Sequence, residues 1–591
     1  MRPGARVVLL LSYTSVAVLA QPPAIDASLV GLWMGERAEG QASRGRVTID
    51  ARGSEYRAHG AGFDLSVTRT GDEMRFAVPD NRGEFRGRMS ADAKTITGHW
   101  IQPVGIVSFQ PRATTIELVA SRSGLWTGEI VPLDERLHLY VDIRRKSGSL
   151  VAAIRIPETN WYGNETLRVV ASDKDFTLLS AAPPPRDKIR GVYDAANDQL
   201  LLSIVGPSPE VFRRVDRSQA AGFYPRTPQP APYSYRQPDQ ARDGWRTAHA
   251  SDAGVNLNPI RALIRSIIEA DPADPATVPV HSLLVARHGK LILEEYFYGF
   301  DRERPHDSRS AGKTYAPLLA GIARDHGARV DPRSLVSDLL PQYAPFANAD
   351  DRKARLTLEH MMTMTSGLAC DDSDLSTPGA EDRMQAQRGQ TDWYKYTVDL
   401  PMSREPGGPS AVYCSADLNL VGGIAGTAAG VWNVELFARQ VAKPLQFGRY
   451  HLNLMPTGDA YTGGGVYLLP RDALKLGQLY LNGGAWNGVR VVSKEWADRS
   501  TVAHATFEKP VNDIDVNHEY GYGWHVHHFA VGGRTYRVYS AEGNGGQWVI
   551  VFPDLDMVVG INSGKYGSPR WYRWGLETIP KYLIPAAIAS P

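Results

Sequence analysis

Residues 29–36 read LVGLWMGE and residues 122–129 read RSGLWTGE, so the same phrase begins twice, with Gly31 and Gly124 93 positions apart. A second echo follows each, FRGRMSADAKTITGHW at 85–100 and IRGVYDAANDQLLLSI at 189–204. A repeat of this kind constrains folding strongly, because both units have to build the same supersecondary structure. The stretches between the anchors, such as RVTID, LSVTRT, LHLYVDIRR and LVAAIRI, alternate apolar and polar residues and break at Gly, Asp and Asn. That is the pattern of half-buried strands and turns. The expectation is two small antiparallel β modules, 22–115 and 116–215, related by duplication, with Trp33 and Trp126 as plugs of their cores.

Residues 216–243 contain YPRTPQPAPYSYRQPDQARD, whose proline density and lack of apolar periodicity mark a linker. Beyond it the texture changes to long helical patterns mixed with strand pairs. HSLLVARHGKLILEEYFYG (281–299) reads as a hairpin turning at His288-Gly289-Lys290. Near the C-terminus TYRVYSAEG, GQWVIVF and MVVGINSG are three strands in close succession, the last pair turned by Pro553-Asp554-Leu555-Asp556. A segment that begins and ends with strand pairs and holds helices between them predicts an α+β domain over 244–591, one antiparallel sheet covered by helices.

At the N-terminus, Arg2 and Arg6 precede VVLLLSYTSVAVLA, and Val18-Leu19-Ala20 fits a small-residue cleavage site. This reads as a secretory signal peptide over 1–20, which predicts an exported protein, periplasmic or extracellular. No later apolar run is long enough to span a bilayer. Formal net charge is +1 with no long basic or acidic run, which points away from nucleic acid or an anionic membrane surface as partner. The chain has two cysteines, Cys370 and Cys414. In an oxidising compartment they can pair, the alternative being two buried free thiols.

Residues 307–323, DSRSAGKTYAPLLAGIA, overlay two signatures. Gly312-Lys313-Thr314 resembles the end of a phosphate-binding loop, but the glycine such a loop needs five residues earlier is Asp307, a negative charge where phosphate would sit. Ser310 and Lys313 form an S-x-x-K pair, the only one in the sequence, and no G-x-S-x-G or H-E-x-x-H is present. Ala316, Leu319, Ala320 and Ala323 recur at helical spacing, which puts serine and lysine on one face of a first turn. A desolvated lysine has a lowered pKa and can take the proton that makes serine a nucleophile. Pro317 is a blemish in that helix.

Two further stretches complete the pattern. PGGPSAVYCSADLNLVGGIAG (406–426) places Tyr413-Cys414-Ser415 on a turn before an apolar helix, and SAEGNGGQWVIVFPDLDMVVG (540–560) places Gly543, Gly545 and Gly546 on or beside an edge strand. With LTLEHMMTMTSGL (356–368) and GGGVYLLPRDALKLGQLYLNGG (463–484), their order and spacing resemble the serine β-lactamase and penicillin-binding-protein superfamily. The resemblance is nearest to its esterase-like branch of class C β-lactamase-like proteins and 6-aminohexanoate-dimer hydrolases. It covers about 240–585 and leaves out the N-terminal modules.

The resemblance implies a β-lactamase/transpeptidase-like fold and a serine hydrolase without metal or organic cofactor, acting on a small-molecule, oligoamide or peptide-like substrate. Ser310 would be the acylated nucleophile, Lys313 its proton acceptor and Tyr413 a second general base. Backbone N–H groups of Ser310 and of a residue near Asn544 would form the oxyanion hole, with Ser415, Gly543 and Gly545 along the substrate. Both cysteines would border that pocket. Ser415 stands where the family usually has Asn, as in the 6-aminohexanoate-dimer branch. Ala541 stands where it usually has Lys or His, which removes the cation that would hold a substrate carboxylate. Esters or amides without an obligatory carboxylate are therefore favoured over a penicillin-binding-type peptidase or a weak β-lactamase. A catalytically silent binding protein is the reading from another class. His525 and His527 would share a strand face, but no acidic or cysteine partner stands at metal spacing, so they are assigned to the surface or the pocket rim. Asp371 and Asp372 receive no role.

Overall fold

The computed structural model describes residues 26–39, 43–107, 109–180, 188–227, 232–507 and 518–588. The signal peptide read over 1–20 lies outside the described residues.

The duplicated region builds two eight-stranded antiparallel barrels, but their members are not the expected modules. The strand Gly31–Ala38, carrying the first LWxGE phrase, pairs with Arg136–Lys146 and Glu210–Arg214 and so belongs to the second barrel. The strand Leu125–Ile130, carrying the second phrase, pairs with Gly45–Arg52 and Arg112–Arg122 and closes the first. The two repeats have exchanged their opening strands. A boundary at 115/116 is therefore corrected, since it would also cut through the strand Arg112–Arg122. The physical reason is that both LWxGE strands present the same alternation to either barrel, so local pattern cannot choose between them. Trp33 is fully buried in the second barrel with its indole N–H on the Leu29 carbonyl at 2.9 Å, and Trp126 plugs the first with its indole N–H on the Ala93 carbonyl at 2.9 Å.

The segment after the barrels has no strand until Arg246–Thr247, and a single 3-10 turn at Arg217–Gln219 among its described residues. It is pinned rather than loose: Tyr233 donates to Glu295 at 2.7 Å and Tyr235 to the Ile292 carbonyl at 2.8 Å.

The C-terminal unit is a ten-stranded sheet, antiparallel except for the short strands at its two ends. Its centre runs Lys290–Tyr296, Val280–Arg287, Met557–Ser563, Gln547–Phe552, Arg534–Gly543 and His525–Val531. The predicted hairpin is present, with His288 and Gly289 at φ 52° and 68°. Along Gln547–Phe552, Val549 and Val551 face one core while Trp548, Ile550 and Phe552 face another. Both faces are covered, which is why the central strands read as nearly continuous apolar runs. The first core holds Tyr315–Asp325, Ser415–Ala429 and Pro470–Leu481. The second holds Leu257–Glu269, which buries Ile260, Leu263, Ile264 and Ile267 at helical spacing, and the C-terminal helices. Among the described residues no single helix is long and apolar enough to cross a membrane.

Barrels and C-terminal unit are joined by backbone pairing. His451–Asn453 pairs with Arg112–Arg122, so the first barrel continues into a small sheet that ends at His306–Asp307, three residues before Ser310. The second barrel is tied in by Asn160 and Asn164, whose amides donate to the Tyr566 carbonyl at 3.1 and 2.9 Å.

The strand exchange predicts crossed effects in hydrogen–deuterium exchange. Trp33→Ala, costing about 3–5 kcal/mol for a fully buried aromatic, should speed exchange in strands within 136–214 and spare those within 45–122. Trp126→Ala should do the reverse. Protection lost in 45–122 on Trp33→Ala would refute the exchanged topology.

Candidate active site

Ser310 lies on a 3-10 turn, Arg309–Thr314, that runs directly into the helix Tyr315–Asp325. Pro317 falls in the first turn of that helix, where it does little harm, and its carbonyl accepts the Trp496 indole N–H at 3.0 Å. Arg309, just before the serine, has φ 47°, a left-handed conformation that is unfavourable for a residue with a Cβ. Asp307 holds it there, accepting the Arg309 backbone N–H at 2.9 Å and pairing with its guanidinium at 2.8 Å. The residue that rules out a phosphate loop thus shapes the turn that carries Ser310. Gly464 packs against the same turn, and a Cβ there would sit 3.1 Å from the Arg309 carbonyl.

Lys313 is 1% exposed, and its Nζ donates to Ser310 Oγ at 2.8 Å. Tyr413 arrives from the turn before Ser415–Ala429, its hydroxyl hydrogen-bonded to Ser310 and its ring centroid 5.0 Å from Lys313 Nζ. The structure therefore brings together Ser310, Lys313 and Tyr413 from positions up to 103 apart in sequence. Burial pushes the Lys313 amine below its ordinary value, against the opposing charges of Glu381 and Asp372. Burial of the Tyr413 hydroxyl raises its pKa, and Asp372 and Glu381 add to that, so it stays protonated near neutral pH.

Gly543 ends the strand Arg534–Gly543 against the serine turn, where a Cβ would meet the Ser308 carbonyl at 2.3 Å. That strand is interior to the sheet, not at an edge, which corrects the sequence reading. Its neighbour pairs only as far as His525 opposite Ser540, so Ala541, Glu542 and Gly543 project beyond it toward Ser310. Gly545 and Gly546 adopt φ 95° and 96°, which only glycine takes without strain. Asn544 is exposed, with its side-chain carbonyl accepting Gly567 N–H at 2.9 Å. Ala541 is fully buried and supplies no cation.

Ser415 departs from the substrate-binding role expected of it. It is fully buried, and Asp372 Oδ2 accepts both its backbone N–H at 2.8 Å and its hydroxyl at 2.6 Å. Cys370 and Cys414 form a disulfide, and Asp372 N–H reaches the Tyr413 carbonyl at 2.9 Å. The 370–372 loop is thereby stitched onto the Tyr413 turn. Asp372, left without a role from sequence, is pushed up to about 6 by burial and by the nearby Glu381. Glu381 in turn accepts the Tyr461 hydroxyl at 2.6 Å. No linear spacing announces either acid; the cysteine two residues before Asp372 was the one available signal.

His525 and His527 are not on the surface or a rim. Both are 4% exposed, and His527 Nε2 lies 2.6 Å from Glu542 Oε1. Their acidic partner comes from the paired strand, which linear spacing does not reveal.

The family model for beta-lactamases matches residues 264–573. The chain is 26% identical over 309 residues to a 6-aminohexanoate-dimer hydrolase of Paenarthrobacter ureafaciens, covering 50% of this chain and 76% of that protein. Among solved structures it is similar to simvastatin synthase of Aspergillus terreus, with 15% identity, TM-score 0.44, and 56% and 99% of the two chains covered. It is also similar to an octameric penicillin-binding protein homologue of Pyrococcus abyssi, with 15% identity, TM-score 0.42, and 55% and 76% covered.

Asp372→Ala should lower the melting temperature, since two buried donors of Ser415 lose their acceptor at ~1–3 kcal/mol each. Asp372→Asn keeps a carbonyl oxygen and should cost less. Equal melting temperatures for the alanine variant and wild type would show that the stitch carries no stability.

Proposed function

The chain belongs to the beta-lactamase family, and from that premise we propose that it is a serine hydrolase cleaving an ester or amide through an acyl-Ser310 intermediate. The observation that carries this reading is the 2.8 Å hydrogen bond from the buried Lys313 amine to Ser310 Oγ. Burial lowers the pKa of the Lys313 amine, which makes its neutral form easier to reach and so a better base for that hydroxyl.

Ser310 Oγ attacks the substrate carbonyl carbon while its proton passes to Lys313 Nζ. The developing oxyanion accepts from the backbone N–H of Ser310 and from an N–H of the 543–545 segment, which the Gly543 contact holds beside the turn. The protonated Lys313 then returns the proton by way of Tyr413 to the leaving oxygen or nitrogen. Water attacks the acyl-enzyme along the same route in reverse. Since Tyr413 stays protonated, it serves as a proton relay rather than as a free phenolate base, a refinement of its sequence-derived role.

Ala541 in place of a cation supports neutral acyl groups as substrates over those anchored by a carboxylate. The Cys370–Cys414 disulfide supports export to an oxidising compartment. The second barrel grips the 564–567 loop through Asn160, Asn164 and the Gly163 carbonyl, which accepts from Lys565 at 3.2 Å. This supports a role for the barrels in shaping one wall of the cleft.

Intact mass after a fluorophosphonate probe tests the reading: one adduct is expected on wild type and none on Ser310→Ala or Lys313→Ala. Folded wild type without an adduct would overturn it. Tyr413→Phe should lower turnover of a nitrophenyl ester by about 10²–10⁴-fold, the usual weight of a positioned proton donor.

The pH profile follows from the sign of the Lys313 shift. Lys313 works as its neutral form, so kcat/KM should rise with pH through a limb below the ordinary lysine range. Glu381 raises the Lys313 pKa, so Glu381→Gln should move that limb to lower pH. A limb moving upward would assign it to another group.

A further inference from the structure

Beyond Tyr413, three adjacent strands bring their polar side chains to one buried point. His518 lies on His518–Tyr520, His525 and His527 on His525–Val531, and Glu542 on Arg534–Gly543. Antiparallel pairing of Glu519 with Val526 and of His525 with Ser540 sets the register, and the two-residue period turns these side chains to a common face. A ligand atom of His518, one of His527 and one of Glu542 lie within 4.8 Å of one another, and all three residues are at most 4% exposed. We propose that His518, His527 and Glu542, with His525 as a further donor, bind a divalent transition-metal ion of the zinc type.

Four observations support it. Two imidazoles and one carboxylate form an established zinc ligand set, and donors at about 2.0–2.2 Å from the ion would be mutually spaced at a few ångströms, as these are. His525 Nδ1 lies 2.6 Å from His518 Nε2 and 4.0 Å from Glu542 Oε2, placing a fourth donor at hand. The outer side of the cluster is arranged as metal ligands usually are: the Tyr572 hydroxyl engages His518 Nδ1 at 3.0 Å, leaving Nε2 inward, and Ser540 Oγ donates to Glu542 Oε1 at 2.6 Å. Finally, among the described residues Glu542 makes ion-pair contacts only with His525 and His527. A carboxylate so deeply buried needs a compensating positive charge, and a bound dication supplies it.

The ion would clamp three strands just where Gly543 ends its strand against the Ser310 turn, and His525 stacks on Tyr413 with ring centroids 6.4 Å apart. Its role is structural, and it takes no part in the proton route of Ser310.

The test uses the full chain purified without a histidine tag. After zinc exposure and gel filtration, elemental analysis should find about one zinc per chain in wild type and a large loss in Glu542→Gln and His527→Ala. Added zinc should raise the melting temperature of chelator-treated wild type and leave that of Glu542→Gln unchanged. Cobalt(II) titrated into chelator-treated wild type should give visible ligand-field bands that saturate at one equivalent, which holds even where a variant fails to fold. Folded wild type with no bound zinc, no thermal shift and no cobalt bands would overturn the proposal and leave the cluster as a hydrogen-bonded network. None of these readouts uses hydrolysis, so failure here leaves the Ser310 reading standing, and the reverse.

Discussion

Everything at the candidate site depends on the end of one interior strand reaching the serine turn with nothing between them. A side chain at residue 543 would drive into the Ser308 carbonyl, so glycine there sets the distance between the sheet and the Ser310 turn. Ser310, its helix and the 543–545 segment are thereby placed as one rigid unit, with both faces of the sheet packed to hold it. Asp307 and Gly464 constrain the turn from the other side, one by fixing Arg309 at positive φ and one by admitting its backbone closely. The strain at Arg309 persists because surrounding contacts over-determine it.

Burial is the electrostatic counterpart of that geometry. Lys313 sits in the core and loses the hydration that would favour its charged form, while Glu381 and Asp372 pull in the opposite direction. The balance is adjustable, since Asp372 is itself raised by burial and tied to the Tyr413 turn. The disulfide and the Asp372 bonds that hold 370–372 against 413–415 also fix the turn that carries Tyr413.

The exchanged barrel strands give the N-terminal half a similar economy. Each repeat completes its barrel with the opening strand of the other, so neither closes alone. The first barrel is continuous with the small sheet that leads to Asp307, and the second holds the loop beside Gly567, which in turn binds Asn544. The barrels therefore contact the segments flanking the Ser310 turn and Asn544 from two sides, an arrangement unlike that of independent modules joined by a flexible linker.

Local chemistry was legible in the sequence: the duplication, the hairpin at His288-Gly289, the alternating strands, the Ser310–Lys313 pair and the Tyr413 turn all follow from periodicity and residue type acting over a few positions. Partner choice was not. Alternation says which face a strand buries but not which strand it joins, so the LWxGE exchange and the interior place of Arg534–Gly543 came only with the fold. The same limit hid Asp372, Glu381 and the Glu542 partner of His527. Each lies next to its partner through strand register or loop closure, across separations that linear spacing cannot encode. Sequence determined what each segment can do; tertiary structure decided what it does it with, because burial and pairing are properties of the assembled core.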